Sequence, residues 1–269
     1  MIKYIFCISP GRSGSDYLSG IFQHAENCCS THEPDPPMHD LEMRQFLKGN
    51  QKPMRALLPG KLAAISRARA GAGVYVETNH CFIKGFGWLL AETLPNEEIG
   101  VIVLRREREK VVDSLCRIEC TPATRFGRSW LITPAARNCL VPLPGPYSRL
   151  RWWAMEAHRF LFDRRIVLAV LRRDASTRPQ WMLREERRLT EWYVDETYAR
   201  GDLFRDRYPD IRYADVHLDE LNTEEGVVGL FSAFGLVAKP SLLDAVGKPT
   251  NLKRKRETIP DLTATEPGP

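Results

Sequence analysis

The sequence predicts an α/β fold, a central parallel sheet with helices on both faces, on three observations. Short β-prone runs at Tyr4–Ile8, Val74–Glu77 and Val101–Leu104 are each followed by a segment with helical periodicity. The last of these runs is apolar at every position, the pattern of a strand buried on both faces. The chain also has 269 residues, 43% hydrophobic and 27% charged, which fits one large domain or two small ones with ample chain to bury a core, and excludes wholesale disorder.

Taken in order, Tyr4–Ile8 runs into Ser9-Pro10-Gly11, a strand entering a glycine-containing turn. Tyr17, Leu18, Ile21 and Phe22 then share one helical face, so the first 25 residues read strand, phosphate-sized loop, helix. After the second strand, Phe86–Leu94 reads as a helix that stops before Pro95-Asn96. After the third, Val111, Val112 and Leu115 mark another. The stretch from Arg117 to about Leu150 holds Pro122, Pro134, Pro142, Pro144 and Pro146. It reads as a Pro-rich insertion or lid, in which Trp130, Leu131 and Ile132 must be covered by something. A helical region follows from Trp152 to Arg200, broken near Arg178-Pro179. Ile211–Leu218 is a late strand, and Glu224–Phe234 a helix closed by Gly235. One domain is expected over 1–257, with 117–200 as its inserted and Arg-rich helical region. The Pro/Thr-rich residues 258–269 read as a flexible tail.

With 39 Lys+Arg against 34 Asp+Glu, the net charge is +5. That is too weak to argue for nucleic acid, and it suits a small anionic ligand. Its distribution is uneven: from Arg149 to Arg188 there are eleven Arg, no Lys and five acidic residues, leaving the rest of the chain at −1. No apolar run approaches the roughly 18–20 residues of a membrane helix, Ile166–Leu171 being the longest aliphatic stretch. The N-terminus reads directly as a strand rather than a signal peptide. Seven irregularly spaced cysteines, including the neighbours Cys28-Cys29, do not form a disulfide framework. A cytoplasmic protein with reduced thiols is expected.

The chemistry-bearing segment is Ser9-Pro-Gly-Arg-Ser-Gly-Ser-Asp16, between strand and helix. Backbone N–H groups and a helix N-terminus there suit an anion. Gly11 and Gly14 allow close backbone approach, and Arg12 offers a fork of donors. No Lys follows Gly14, so this is not a Walker A motif, and the G-x-G-x-x-G spacing of a dinucleotide fold is absent. The plain alternative is a βα turn with a serine cap.

Pro-Gly-Arg-Ser-Gly-Ser resembles the 5′-phosphosulfate loop of PAPS-dependent sulfotransferases, where Pro-Arg-Ser-Gly-Thr or Pro-Lys-Ser-Gly-Thr is usual. That family's second signature is a strand ending in Arg with a Ser eight residues on, gripping the 3′-phosphate. Here Val101-Ile-Val-Leu-Arg-Arg106 is followed by Ser114 at that spacing, with Arg105 an alternative to Arg106. Tyr213–Leu221 and Phe231–Leu236 are similar to the family's late strand and the helix end after it. Gly247-Lys-Pro-Thr-Asn251 is similar to a Lys-Pro-Val-Asn stretch that lines the nucleotide in tyrosylprotein-type members. The resemblance, over residues 4–115 and 211–255, implies a P-loop-type three-layer fold. It also implies sulfuryl transfer from PAPS to a hydroxyl or amine acceptor, releasing PAP, without a metal. Gly11, Arg12, Ser13, Gly14, Ser15, Asp16, Tyr17, Arg106, Ser114, Lys248 and Asn251 are then the cofactor-binding candidates, with Arg12 also stabilising the transferring group. Lys253-Arg-Lys-Arg256 reads as a solvated basic string.

Three residues qualify as the base that such a transfer needs. Glu33 follows Gly14 by nineteen residues, the spacing of the tyrosylprotein-type glutamate. His80 lies between the two phosphate motifs, as the histidine base of many cytosolic members does, and imidazole suits neutral pH. Glu77 is the third, able instead to orient His80 or bind acceptor. Thr78 or Asn79 stands where the tyrosylprotein pattern has a lysine, and Lys84 is nearby but out of register.

Other readings compete. His24, Cys28, Cys29, His32 and His39 can be drawn as a zinc site, but no C-x2-C pair supports it. A nucleotide kinase lacks its Walker A lysine. A nucleic-acid module would use the Arg149–Arg188 segment with Trp152, Trp153 and Trp181; yet Trp152, Trp153, Met155, Phe160 and Phe162 read as helix core, and the arginines can pair with acidic neighbours. A sugar, phenol, lipid or peptide hydroxyl would fit as acceptor. The Arg-rich segment is assigned to the acceptor or to a partner.

Overall fold

The computed structural model describes residues 1–145, 150–154, 157 and 180–248. Five strands, β1 (Tyr4–Ile8), β2 (Cys28–Thr31), β3 (Val74–Glu77), β4 (Ile99–Arg105) and β5 (Arg212–His217), form a parallel sheet in the order β2-β3-β1-β4-β5. The central β1 sets the register, Phe6 lying opposite both Glu77 of β3 and Val101 of β4. The helices are α1 (Ser15–Phe22), α2 (Leu41–Leu47), α3 (Lys52–Arg69), α4 (Phe86–Ala91), α5 (Arg108–Arg117), α6 (Arg125–Arg128), α7 (Gln180–Arg207) and α8 (Glu224–Ala233).

Alternation along the strands divides the core. Phe6 and Ile8 of β1 and Val101 and Val103 of β4 point into a cluster closed by Met54, Phe86, Leu89, Val111, Val112, Tyr193 and Phe204. Ile5, Cys7, Ile102 and Leu104 point the other way, against Leu18, Ile21 and Phe22 of α1 and Val227 and Phe231 of α8. Helices therefore cover both faces, as the buried apolar run at Val101–Leu104 requires, and the arrangement is compatible with three layers. Helix α7 lies close over the centre of the sheet: a Cβ at Gly201 would sit 3.1 Å from Ile8 Cγ2.

The expected β1 and β3 are found at their predicted bounds, and the late strand and last helix close to theirs. Gly235 has φ 71, the left-handed backbone that ends a helix. β2, α2 and α3 are elements the sequence reading missed. α7 begins just after the expected break and runs past Arg200 to Arg207.

The described part of the Pro-rich stretch is fastened to the body. Leu131 and Ile132 are buried, as expected. Buried Glu196 accepts from the N–H groups of Leu140 and Val141 at 2.8 Å each, and Trp192 Nε1 donates to the Val141 carbonyl at 3.0 Å. One expectation is corrected here. Trp152 is buried, but Trp153 is 67% exposed and not core, because Trp152 alone turns toward the small cluster of Ala123, Met182 and Leu189. Met155, Phe160, Phe162, the run Ile166–Leu171 and the 258–269 tail lie outside the described residues. All seven cysteines are unpaired, and among the described residues no helix is long and apolar enough to cross a membrane.

Candidate functional site

A cleft of about 690 Å³ opens where the C-terminal ends of all five strands meet. Gly11 and Arg12 reach it after β1, His32 and Glu33 after β2, His80 after β3, Arg106 after β4, and Leu218 and Asn222 after β5. This is where parallel α/β sheets gather ligands, because the loops there converge.

The loop after β1 is shaped for close approach. Arg12 (φ 70) and Gly14 (φ 96) both hold left-handed backbone, and Gly14 caps α1 without any side-chain cap bond. The first-turn N–H groups of α1 have no intrahelical acceptor, and Gly14, Ser15, Asp16 and Tyr17 line the cleft. Ser13 is fully buried beneath them. The Gly11 N–H donates to the hydroxyl of buried Tyr193 at 3.2 Å, tying the loop to α7.

The second motif folds onto the first. Arg12 Nε donates to Ser114 Oγ at 3.0 Å, and Arg106 Nη1 donates to the Arg12 carbonyl at 2.8 Å. The neighbouring Arg105 instead lies over the Tyr198 ring at 4.8 Å and near Asp215. The cleft therefore receives Arg106. Lys248 also lines it, brought there as the Gly247 N–H donates to Tyr17 Oη at 2.8 Å. Asn251, Lys253 and Arg254 lie outside the described residues.

Glu33 and His80 are neighbours. Glu33 Oε1 is 3.3 Å from His80 Nε2, with Glu33 at φ 48, a left-handed conformation costing a non-glycine residue about 1 kcal/mol. Asn79 Oδ1 accepts from the Cys81 N–H at 2.8 Å, an Asx turn that starts the 3₁₀ turn Phe82–Lys84. That turn brings Lys84 back beneath His80, Nζ lying 2.6 Å from Nδ1 and donating to the Trp130 carbonyl at 2.7 Å. Lys84, out of register with the tyrosylprotein lysine, is fully buried against the candidate base. The spacing His80-x3-Lys84 does not announce this by itself, because the turn that Asn79 starts is what brings the two together.

Glu77 is corrected as a candidate. It is fully buried, and its oxygens are taken by Lys61 Nζ (2.6 Å), Tyr75 Oη (2.8 Å) and Asn79 Nδ2 (3.0 Å). It neither faces the cleft nor orients His80. Lys61 Nζ also donates to the Pro36 carbonyl at 3.2 Å, and Asn79 Nδ2 to that of Pro37 at 3.3 Å. The pair thereby anchors the turn that carries Glu33.

Phe126, Trp130, Leu131, Leu115 and Ile118 form the apolar part of the cleft wall. Trp130 stacks on His39 at 3.9 Å between centroids. His32 Nδ1 is 2.8 Å from the Thr78 carbonyl and His24 Nδ1 2.9 Å from Ser241 Oγ. Among the described residues no three His, Cys, Asp or Glu gather to hold a metal. In the Arg-rich segment, Arg151 and Arg188 pair with Glu185, and Arg187 with Glu109, Asp113 and Glu191. Arg149 and Arg159 lie outside the described residues.

The donor set suits a ligand bearing separated anionic groups: two guanidiniums, one ammonium and a helix N-terminus on a cleft of small-molecule size. The chain matches no known protein-family model and no curated protein.

Proposed function

We propose that this protein is a PAPS-dependent sulfotransferase of the P-loop type, moving a sulfuryl group to a hydroxyl acceptor and releasing PAP. The observation that carries the reading is the Arg106–Arg12–Ser114 chain. Two motifs 94 residues apart, each a phosphate site by the sequence, touch, with Arg12 and Arg106 lining one cleft and Ser114 bonded to Arg12 outside its lining. Glu33 faces the same cleft, as an acceptor base must.

In this reading the α1 N-terminus and residues 11–17 hold the 5′-phosphosulfate, and Arg106 with Ser114 holds the 3′-phosphate. Lys248 adds charge at the cleft rim. The acceptor oxygen attacks sulfur in line, the new O–S bond forming as the bridging S–O bond to PAP breaks. Glu33 takes the acceptor's proton. Arg12 stabilises charge growing on the sulfuryl and bridging oxygens, so that positioning and electrostatics carry most of the rate, as in phosphoryl transfer. The apolar wall around Trp130 is the acceptor's side of the cleft.

A thermal-shift screen with PAP, ATP, NAD and single-stranded DNA separates this reading from its rivals. PAP alone should raise the melting temperature. A shift with ATP alone would favour a nucleotide kinase, and one with DNA alone a nucleic-acid-binding module.

A further inference from the structure

We propose that Lys84 is a positioning residue that acts through His80 on Glu33, fixing the imidazole proton on Nε2 and aiming it at Glu33 Oε1. A lysine ammonium has three donors and no acceptor, so at 2.6 Å from Nδ1 it can only donate. Nδ1 is then the acceptor, and the single proton of a neutral ring sits on Nε2, 3.3 Å from Glu33 Oε1.

The surroundings keep the ring neutral. Lys84 occupies Nδ1 and Glu33 faces Nε2, while Cys81 Sγ lies 3.8 Å from Nδ1 and Trp130 is tilted over the ring at 5.5 Å. His32 and His39 also oppose a charge on the ring, and the Tyr193 hydroxyl lies beside it on Gly11. Burial, then Lys84, then His32 push the His80 pKa well below 6.5.

A neutral imidazole with Nδ1 engaged and Nε2 protonated has no lone pair for an acceptor's proton. This separates the two rival bases: His80 orients, and Glu33 receives. Lys84 is itself held by the Trp130 carbonyl at 2.7 Å and lies over the Tyr193 ring at 5.0 Å, so the chain is anchored in the wall of the cleft. Glu33's role as base rests on the sulfotransferase reading, whereas the Lys84–His80 contact at 2.6 Å and the His80–Glu33 approach at 3.3 Å do not.

The test is ¹⁵N NMR of the histidine rings in the full chain at neutral pH, with His80 assigned by the signals lost in His80→Gln. The expected result is an unprotonated Nδ1 and a protonated Nε2. A proton on Nδ1, or a doubly protonated ring, overturns the proposal. Lys84→Met supplies a kinetic arm, with PAPS and a panel of phenol, sugar and peptide hydroxyl acceptors. kcat should fall about 10- to 100-fold, the range for outer partners of a reacting group, with KM for PAPS unchanged. Its pH profile should gain a histidine limb that the parent lacks, and an unchanged kcat and profile also overturn the proposal. If Lys84→Met does not fold, the ring measurement on the parent chain decides. If no acceptor is sulfated while the Nε2–H form is found, the reaction reading fails and the Lys84–His80–Glu33 chain stands.

Discussion

The Arg106 guanidinium at the end of β4 donates to the Arg12 carbonyl oxygen at 2.8 Å, bracing the loop after β1 in its left-handed turn. Arg12 in turn reaches Ser114 on α5. The segment that would hold one phosphate is thus set by the side chains that would hold the other, and their energetics are coupled.

Ser114→Ala should show this coupling. It removes the partner of Arg12 Nε, costing about 1 kcal/mol of stability. PAP affinity should fall about tenfold, measured by calorimetry beside urea unfolding.

Gly14→Ala should destabilise the fold by about 1–2 kcal/mol, because φ 96 is poorly tolerated once a Cβ is present. The new Cβ would also lie 2.5 Å from Leu218 Cδ1, which must swing aside. Urea titration measures the loss, and weaker PAP binding should accompany it.

Lys61→Met should be the most damaging of these changes, at about 3–5 kcal/mol, since it leaves the Glu77 carboxylate buried without its cation. Adding Glu77→Gln should recover part of that loss. A single change as mild as a surface substitution would contradict the anchoring role given to the pair.

Stability should depend on pH through His80. Its native pKa is held well below 6.5 by burial and Lys84, so in acid the unfolded chain binds the proton that the native state refuses. The contribution is intact above 6.5 and is lost as pH falls below that value toward the lowered native one, by up to about 1.4 kcal/mol per pH unit. His80→Gln should flatten this slope, read from urea midpoints between about pH 5 and 8.

What was legible in the sequence shares a physical cause. β1, β3 and β4 announce themselves because buried parallel strands need unbroken apolar runs, and the loop after β1 because its glycines and serines sit at a strand–helix junction. β2 did not, since Cys28–Thr31 is only half-buried along its length and carries no strong β-former but a threonine. α3 was hidden because fully buried Lys61 interrupts its apolar stripe and Pro59 sits inside it.

The candidate site was legible where its residues follow legible strands, at Arg12, His80 and Arg106, and at Glu33 only through its nineteen-residue spacing from Gly14. What stayed out of reach was partnership across the chain. No local pattern tells that Glu77 is spent on Lys61, or that an Asx turn at Asn79 folds Lys84 under His80. The pairing of Arg187 with Glu109 and Asp113 is equally non-local, although it fits the expectation that those arginines meet acidic neighbours.

The most direct measurement is a calorimetric titration of the full chain and of Arg106→Ala with PAP. Saturable binding by the parent, with complete loss in the variant while the variant still unfolds cooperatively, its stability lowered by about 1–3 kcal/mol for the lost bond to the Arg12 carbonyl, is the predicted result. No binding of PAP by the parent, or equal affinity in Arg106→Ala, would contradict the sulfotransferase reading.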